Sequence, residues 1–176
     1  LEPGAKAPPF NLKGTDGKSH SLDQVKGTKG TVVIFTCNHC PFAKGYEDRL
    51  IALAKSYEAR GIGFVAINSN DPKEYPDDGF DQMAVRAKEK GFPYPYLIDA
   101  TQEVAKAYGA QVTPHVFLFD ASGVLKYRGR VDDNAKPAEV KSTDLANALA
   151  AVVSGKPVPV PATKAFGCSV KWKAAA

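Results

Sequence analysis

Two cysteines with two residues between them stand where an apolar stretch of the chain gives way to an amphipathic one. Cys37 and Cys40 follow the run Thr-Val-Val-Ile-Phe at 31–35, and Pro41 opens the segment 42–60. The β-branched run is apolar on both faces and predicts a buried strand, whereas the segment after Pro41 predicts a helix. A thiol at the start of a helix lies near unpaired backbone amides and the positive end of the helix dipole, which favours the thiolate. This position suits reversible disulfide chemistry.

The segment 42–60 carries apolar residues at steps of three and four, which is the spacing of one buried helical stripe. Gly61 is placed to end this helix, and a second apolar run at 63–68 predicts another buried strand. A strand, a helix and a strand in this order predict a right-handed parallel crossover. The residues of the predicted stripe are Phe42, Tyr46, Leu50, Leu53 and Tyr57.

Strand and helix patterns continue to alternate through the middle of the chain. The polar, proline-containing segment 69–79 predicts a surface loop. It is followed by a predicted helix at 81–90, a strand at 94–99 and a helix at 101–108. Such alternation is typical of an α/β sandwich built around a sheet.

The last third of the chain has a different pattern. Apolar runs at 115–119 and 124–128 flank a four-residue turn and predict an antiparallel hairpin. A final helix follows, with Ser142 or Thr143 as its cap and Gly155 after it. We therefore predict an α/β fold in which a central mixed sheet carries helices on both faces.

The length of 176 residues predicts a single domain, 1–176. An N-terminal ribbon at 1–30 contains an Asp-Gly turn typical of a β-hairpin. The core is expected to span 31–155. The proline-rich segment 156–176 is expected to be an extended tail.

Charge and hydropathy exclude two classes of partner. The net charge of +4 comes from basic residues scattered over most of the chain, without the basic stripe of nucleic-acid-binding proteins. No apolar run approaches the roughly 18 residues that cross a bilayer, so no membrane span is expected. The oligomeric state is left open by the sequence.

The cysteines indicate chemistry rather than a scaffold. Three cysteines, at Cys37, Cys40 and Cys168, are too few for a disulfide-stabilised small domain. A C-x-x-C pair is also half of a zinc site, but the other half requires a second close pair of cysteines or histidines, which the sequence lacks. No bound metal is expected.

Four stretches carry a resemblance to a known family. They are Phe-Thr-Cys-Asn-His-Cys-Pro-Phe at 35–42, Ala-Ile-Asn-Ser-Asn-Asp at 66–71, Thr-Pro-His at 113–115 and Phe-Gly-Cys-Ser-Val-Lys-Trp at 166–172. The chain resembles the thioredoxin superfamily, and more narrowly the peroxiredoxin-like redoxins of bacteria. The resemblance implies a thioredoxin-like three-layer sandwich with an N-terminal β-hairpin extension and an extended C-terminal tail. It also implies a thiol–disulfide oxidoreductase that needs no cofactor beyond its own redox-active disulfide.

The resemblance also assigns roles to individual residues. Cys37 is implied to attack a partner and form a mixed disulfide, which Cys40 then resolves. Pro114 is implied to follow a cis bond, and the backbone of Thr113 to pair with a substrate strand. The implied partners are protein or small-molecule thiols and disulfides, with an electron donor that the sequence does not name. Frequent export in this family, and a chain that begins at Leu1 rather than Met, favour an extracytoplasmic or periplasmic location over the cytoplasm.

Two residues lie between the cysteines. A histidine at His39 can donate a hydrogen bond to the Cys37 thiolate or stabilise it by charge, which lowers the pKa of Cys37. A stabilised dithiol makes the disulfide more oxidising, by roughly tens of millivolts. A solvated His39 that only caps the turn is the alternative. Asn38 is an auxiliary candidate by its position.

Two positions depart from the thioredoxin pattern. Thr36 stands where a tryptophan usually precedes the first cysteine, and Thr31 stands where a buried acid is expected. In thioredoxins that acid takes the proton of the resolving thiol. Glu47 is a candidate substitute, and His115 is another because it follows Pro114 directly.

A thiol peroxidase of the peroxiredoxin type is the main enzymatic alternative. Peroxiredoxins need a threonine or serine three residues before the reactive cysteine, and Ile34 stands at that spacing from Cys37. Arg128 or Arg130 could stabilise a peroxide-attacking thiolate, although a hairpin arginine is more often an exposed surface residue.

A Cu(I)-binding carrier with a thioredoxin-like fold is the second alternative. Thiolates at Cys37 and Cys40 with an imidazole such as His115 suit Cu(I). Carriers of this type generally space their cysteines by three residues, whereas this chain spaces them by two.

Cys168 is separate from the other two cysteines in sequence. Gly167 beside it and Trp172 nearby fit a tail that packs on the domain, so we expect a structural role. A mixed disulfide with the active site and resolution of an oxidised Cys37 are the redox alternatives.

Overall fold

The computed structural model describes residues 1–173. The strands are β1 (Asn11–Gly14), β2 (Ser19–Ser21), β3 (Gly30–Phe35), β4 (Ile62–Asn68), β5 (Tyr96–Ile98), β6 (Val112–Thr113), β7 (His115–Asp120), β8 (Leu125–Gly129) and β9 (Cys168–Ser169). The α-helices are α1 (Leu22–Val25), α2 (Pro41–Glu58), α3 (Phe80–Lys90), α4 (Glu103–Tyr108) and α5 (Asp144–Val153). Short 3-10 turns cover Pro76–Asp78 and Pro137–Glu139.

Seven strands form the central sheet in the order β2-β1-β5-β4-β3-β7-β8. β4 pairs in parallel with β3 on one side and with β5 on the other, so the predicted parallel crossover is present. The remaining pairs are antiparallel, including the predicted β7–β8 hairpin. The sheet is therefore mixed, as predicted. β6 and β9 form a separate two-stranded sheet beside it.

Helices cover both faces of the sheet and create two cores. On one face, Tyr46 and Leu50 of α2 pack with Val116 of β7 and with residues of α3 and α5. On the other face, Tyr108 of α4 packs with Phe117 of β7 and with the N-terminal segment. Neighbouring residues of β7 belong to opposite cores because side chains alternate across a strand. The predicted three-layer arrangement is confirmed.

The start of α2 at Pro41 can be explained from the sequence. Pro41 is the first helical residue, where a missing N–H costs nothing because first-turn amides have no partner within the helix. The buried stripe differs from the predicted one, since Phe42 is exposed while Ala43 and Ala54 are buried. Ala43 packs against Cys37 and Cys40, and Ala54 packs in the core on this face of the sheet.

The surroundings of the core confirm one prediction and correct another. The predicted N-terminal hairpin is present as β1 and β2, and β1 also pairs with β5, so the hairpin extends the central sheet. The predicted surface loop at 69–79 is partly internal, since residues 69–71 and Asp78 are buried. The tail contains one short strand, β9, which pairs with β6. The last part of the predicted tail, residues 174–176, lies outside the described residues.

Candidate active site

The two cysteines meet at the start of α2, immediately beyond the end of β3. Cys40 is the N-cap residue of α2, and its backbone amide donates to the sulfur of Cys37 at 3.4 Å. Each of the two side chains is at most 1% exposed. All three cysteines of the chain are free thiols in this structure.

Thr113, which is distant in sequence, contacts both cysteines. Its hydroxyl lies 3.3 Å from the sulfur of Cys37, and its carbonyl oxygen lies 3.7 Å from the sulfur of Cys40. The bond between Thr113 and Pro114 is cis, in agreement with the expectation from the family resemblance. The structure therefore brings Cys37, Cys40, Thr113 and Pro114 together. Thr113 lies 76 residues after Cys37 and 73 residues after Cys40 in the sequence.

Each of the two thiols affects the ionisation of the other. A hydrogen bond from Cys37, together with amides at the start of α2, lowers the pKa of Cys40 to about 4. The same hydrogen bond and burial raise the pKa of Cys37. The pair therefore holds one negative charge more readily than a single free thiol does. Two such thiols titrate as a pair, with a first ionisation below and a second above the usual thiol range.

A buried acid that the sequence analysis missed lies beside this pair. Asp78 has no exposed side-chain surface and accepts hydrogen bonds at 2.6 Å from the Asn38 amide, 3.2 Å from Asn68 and 3.1 Å from Asn70. Its second carboxylate oxygen binds Nδ1 of His39. Asp78 lies in the segment predicted as a surface loop, so only the motif Asn-Ser-Asn at 68–70, with its buried amide donors, could have indicated it.

His39 and Asn38 are held in place by contacts outside the C-x-x-C motif. The His39 ring stacks on Tyr75 at 5.1 Å and pairs with Asp78, so it is not a freely solvated turn residue. Asn38 donates to the Asp77 carbonyl at 2.8 Å and accepts from the Tyr96 hydroxyl at 2.8 Å. The negative charge of Asp78 raises the pKa of Cys37, so it opposes the effect predicted for His39.

Glu47 is not placed as a proton acceptor for the resolving thiol. Its carboxylate is buried and accepts two hydrogen bonds from Nε of Arg86, at 3.0 and 3.1 Å, with a further bond from Nη2. This pair links α2 to α3. The carboxylate is occupied by a guanidinium, so Glu47 has a structural role here.

His115 is also placed away from the proton path that the sequence suggested. Its ring stacks on Phe117 at 4.6 Å, on the face of the sheet that carries α4, and its Nδ1 accepts from the Gln111 amide at 3.3 Å. Burial, with smaller effects from Arg128 and the N-terminus, lowers the pKa of His115 to about 4, so the ring is neutral near pH 7. The copper alternative used this imidazole as a ligand, and the structure does not bring it to the two thiols.

A different set of ligand atoms converges near the first cysteine. Atoms of Cys37, His39 and Asp78 lie within 4.8 Å of one another. The carboxylate of this set is a hard donor, whereas Cu(I) prefers thiolate and imidazole. Asp78 is also saturated by hydrogen bonds from Asn38, Asn68 and Asn70. The set therefore fits a hydrogen-bonded acid better than a copper site.

Cys168 lies next to the active-site pair. It is opposite Thr113 in the β6–β9 ladder and packs against the cluster of Cys37, Cys40 and Ala43. Its thiol contributes to the lowered pKa of Cys40. The tail is therefore packed on the domain as expected, and it brings a third thiol to the site.

Relatives with named activities are similar to this chain over most of its length. Thiol-disulfide oxidoreductase ResA of Geobacillus thermodenitrificans is 29% identical over 126 residues, which cover 70% of this chain and 66% of ResA. The chain thus spans slightly less than two thirds of that relative. A Mycobacterium tuberculosis protein provisionally named as a peroxiredoxin is 26% identical over 140 residues, with 77% of this chain and 82% of that protein covered.

Solved structures match the fold more completely. An uncharacterised conserved protein from Geobacillus kaustophilus is 45% identical, with a TM-score of 0.94 that covers 99% of this chain and 94% of that chain. A thiol:disulfide interchange protein of the thioredoxin family from Chlorobium tepidum is 24% identical, with a TM-score of 0.66 over 87% of this chain and 98% of that chain. The fold is therefore thioredoxin-like. The Redoxin family matches residues 2–149, which include Cys37, Cys40 and the Thr113–Pro114 bond, and the chain belongs to this family.

Proposed function

We propose that this protein is a thiol–disulfide oxidoreductase that uses Cys37 and Cys40 as a dithiol–disulfide couple. The observation that carries the proposal is the pairing of two thiols at the start of α2, where the Cys40 amide donates to the sulfur of Cys37 and Thr113 lies against both. The similarity to ResA supports the same type of chemistry. The hydroxyl and amide donors at the sulfur of Cys37 favour thiol–disulfide exchange, because they stabilise the thiolate, which is the nucleophile.

The first step is attack by Cys37 on a disulfide of the partner. Cys37 reacts as the thiolate while Cys40 carries the proton, and the Cys40 amide and the Thr113 hydroxyl stabilise the charge on Cys37. A bond forms between Cys37 and one partner sulfur, while the other partner sulfur leaves as a thiolate. That thiolate takes the proton from Cys40.

The second step is resolution by Cys40. Its thiolate attacks the sulfur of Cys37, the Cys37–partner bond breaks, and the reduced partner leaves. Two electrons have then passed from the dithiol to the partner, and Cys37 and Cys40 share a disulfide. The same steps run in reverse when the partner couple has the lower potential.

Turnover of a small or protein disulfide tests this function. We expect the reduced wild-type protein to reduce insulin or oxidised glutathione without added metal, with dithiothreitol as the electron source. Cys37→Ser and Cys40→Ser should each lower turnover by about a hundredfold, because each removes one of two required sulfurs. Thermal unfolding checks that both variants fold. Wild-type turnover in folded Cys37→Ser would reject the mechanism.

A thiol peroxidase is the competing candidate, and the similarity to the Mycobacterium tuberculosis protein favours it. The residues around Cys37 give the peroxidase candidate less support than the oxidoreductase. Ile34 is fully buried in the α2-side core and offers no hydroxyl. Arg128 pairs with Glu2 at 2.9 Å and Arg130 with Asp144 at 2.7 Å. Consumption of hydrogen peroxide faster than that of disulfides would favour the peroxidase.

The partners that we propose are proteins or small molecules that carry an exchangeable disulfide or dithiol. We further propose an extracytoplasmic location, since disulfide exchange on proteins takes place mainly in oxidising compartments. Among the described residues, no helix is both long enough and apolar enough to span a bilayer. Fractionation of cells that express the protein with its natural N-terminus tests the location.

A further inference from the structure

The C-terminal segment 166–173 crosses the active site and adds a strand to it. β9 pairs antiparallel with β6, so that Cys168 is opposite Thr113 and Ser169 is opposite Val112. The approach is close, because a Cβ atom placed on Gly167 would lie 2.1 Å from the Thr113 carbonyl oxygen. Only glycine fits at this position while the strand stays paired.

Contacts on both sides of Cys168 hold this strand in place. Before it, the ring of Phe166 packs edge-on against Phe42 and Tyr46, with centroid distances of 6.0 Å for each pair. After it, the Lys171 amide donates to the Asn70 side chain at 2.7 Å. The Lys171 carbonyl oxygen also accepts from the Asp71 amide and the Gln102 side chain, at 2.9 Å each. Cys168 is thus held between two anchored points.

The held thiol lies against Cys40 rather than in solvent. Cys168 packs on the cluster formed by Cys37, Cys40 and Ala43. Partial burial and the neighbouring Cys40 raise the pKa of Cys168 to about 11 in the dithiol. The contribution from Cys40 depends on its thiolate, so it disappears when Cys40 is in a disulfide. Oxidation of the pair therefore makes Cys168 easier to deprotonate.

We propose, on the basis of the redox function above, that Cys168 is a third redox cysteine which exchanges with the Cys37–Cys40 disulfide. The Cys168 thiol gives its proton to solvent, and its thiolate attacks the sulfur of Cys40. A Cys40–Cys168 bond forms, the Cys37–Cys40 bond breaks, and Cys37 leaves as a thiolate. No electrons enter or leave, because one disulfide and one thiolate become another disulfide and another thiolate.

The leaving thiolate at Cys37 is stabilised by groups already in place. The Cys40 amide and the Thr113 hydroxyl both lie within hydrogen-bonding distance of its sulfur. The oxidised protein thus regains a free nucleophile at Cys37 while the disulfide is stored on Cys40 and Cys168. An extended partner peptide that adds to the edge of β6 has to displace β9 and Cys168 with it. β9 therefore occupies the position on β6 that an extended partner peptide would take.

Mapping of the disulfides after oxidation tests the exchange. The full chain is oxidised with one equivalent of diamide, quenched in acid, alkylated and analysed by mass spectrometry. We expect two disulfide isomers in the wild type, Cys37–Cys40 with free Cys168 and Cys40–Cys168 with free Cys37. In Cys37→Ser, the Cys40–Cys168 disulfide should be the main product.

The outcomes separate this inference from the proposed function. Complete alkylation of Cys168 in both proteins, with normal turnover of disulfides by the wild type, overturns the exchange and leaves the proposed function intact. A wild type that forms no Cys37–Cys40 disulfide and turns over no disulfide overturns both.

A pair of glycine variants tests whether the β9 strand delivers Cys168. Gly167→Ala places a methyl group against the Thr113 carbonyl oxygen and should lower the yield of Cys40–Cys168 by about tenfold. Gly45→Ala is the matched control, because its new Cβ meets no atom within 4 Å, and it should keep the wild-type yield. Equal yields in the two folded variants would show that strand pairing does not position Cys168.

Discussion

At the residue scale, the buried carboxylate of Asp78 adds a negative charge next to Cys37. Asp78 raises the pKa of Cys37, so Asp78→Asn should lower it. The effect is cleanest in a Cys40→Ser background, where no second thiol titrates beside Cys37. We expect a decrease of about one pKa unit, which corresponds to about 1.4 kcal/mol. The pH dependence of Cys37 alkylation, followed by mass spectrometry of the Cys37 peptide, measures it.

Asp77→Asn is the control for that measurement. Asp77 is the neighbour of Asp78 and carries the same charge, but its side chain is exposed and therefore screened by water. Its substitution should leave the alkylation profile of Cys37 unchanged. An equal change in both variants would mean that net charge, rather than the buried Asp78, sets the reactivity of Cys37.

At the element scale, α2 and α3 are joined by one buried and one exposed ion pair. Glu47 is 3% exposed and paired with Arg86, so Arg86→Met leaves a buried carboxylate unpaired. We expect a loss of about 3 kcal/mol in the free energy of unfolding. Lys90→Met breaks the exposed Lys90–Asp48 contact of 2.7 Å between the same helices and should cost less than about 1 kcal/mol. Urea unfolding compares the two, and equal losses would contradict a structural role for Glu47.

The elements themselves were largely predictable from local sequence. The bounds of β3, α2, α3 and the β7–β8 hairpin follow from apolar periodicity and from Gly61, Gly91 and Pro41, because these residues act within one turn. Contacts between residues distant in the sequence were not predictable from local patterns. Asp78 is polar and lies between Pro76 and Gly79, so it has the sequence pattern of a surface loop. Its burial depends on amide donors from Asn38, Asn68 and Asn70, which only the folded chain brings together.

At the scale of the whole molecule, His115 makes stability depend on pH. The fold lowers the pKa of His115 to about 4 from the ordinary 6.5, so between these values the unfolded chain binds more protons. Stabilisation by the neutral ring is complete above about pH 6.5 and is lost as the pH falls toward 4. Between pH 7 and 4.5 we expect the wild type to lose about 2 kcal/mol more than His115→Gln. Urea unfolding at several pH values measures this, and parallel curves for the two proteins would contradict it.

The arrangement of the whole molecule also shows which site residues could be predicted from the sequence. Cys37, Cys40, Thr113 and Pro114 were found through a motif resemblance, and the fold brings them together. The position of Cys168 could not be predicted, because pairing of β9 with β6 depends on a long return of the tail across the domain. Its strand is only two residues long and leaves little pattern in the sequence.

Identification of the attacking thiol is the most direct test of the proposed oxidoreductase. Cys40→Ser and Cys37→Ser are each incubated with a disulfide-bonded peptide, quenched in acid and mapped by mass spectrometry. Because Cys40→Ser lacks the resolving thiol, we predict a stable mixed disulfide on Cys37 in that variant and little adduct on Cys40 in Cys37→Ser. An adduct that forms on Cys40 in Cys37→Ser, with none on Cys37 in Cys40→Ser, would contradict the assigned roles.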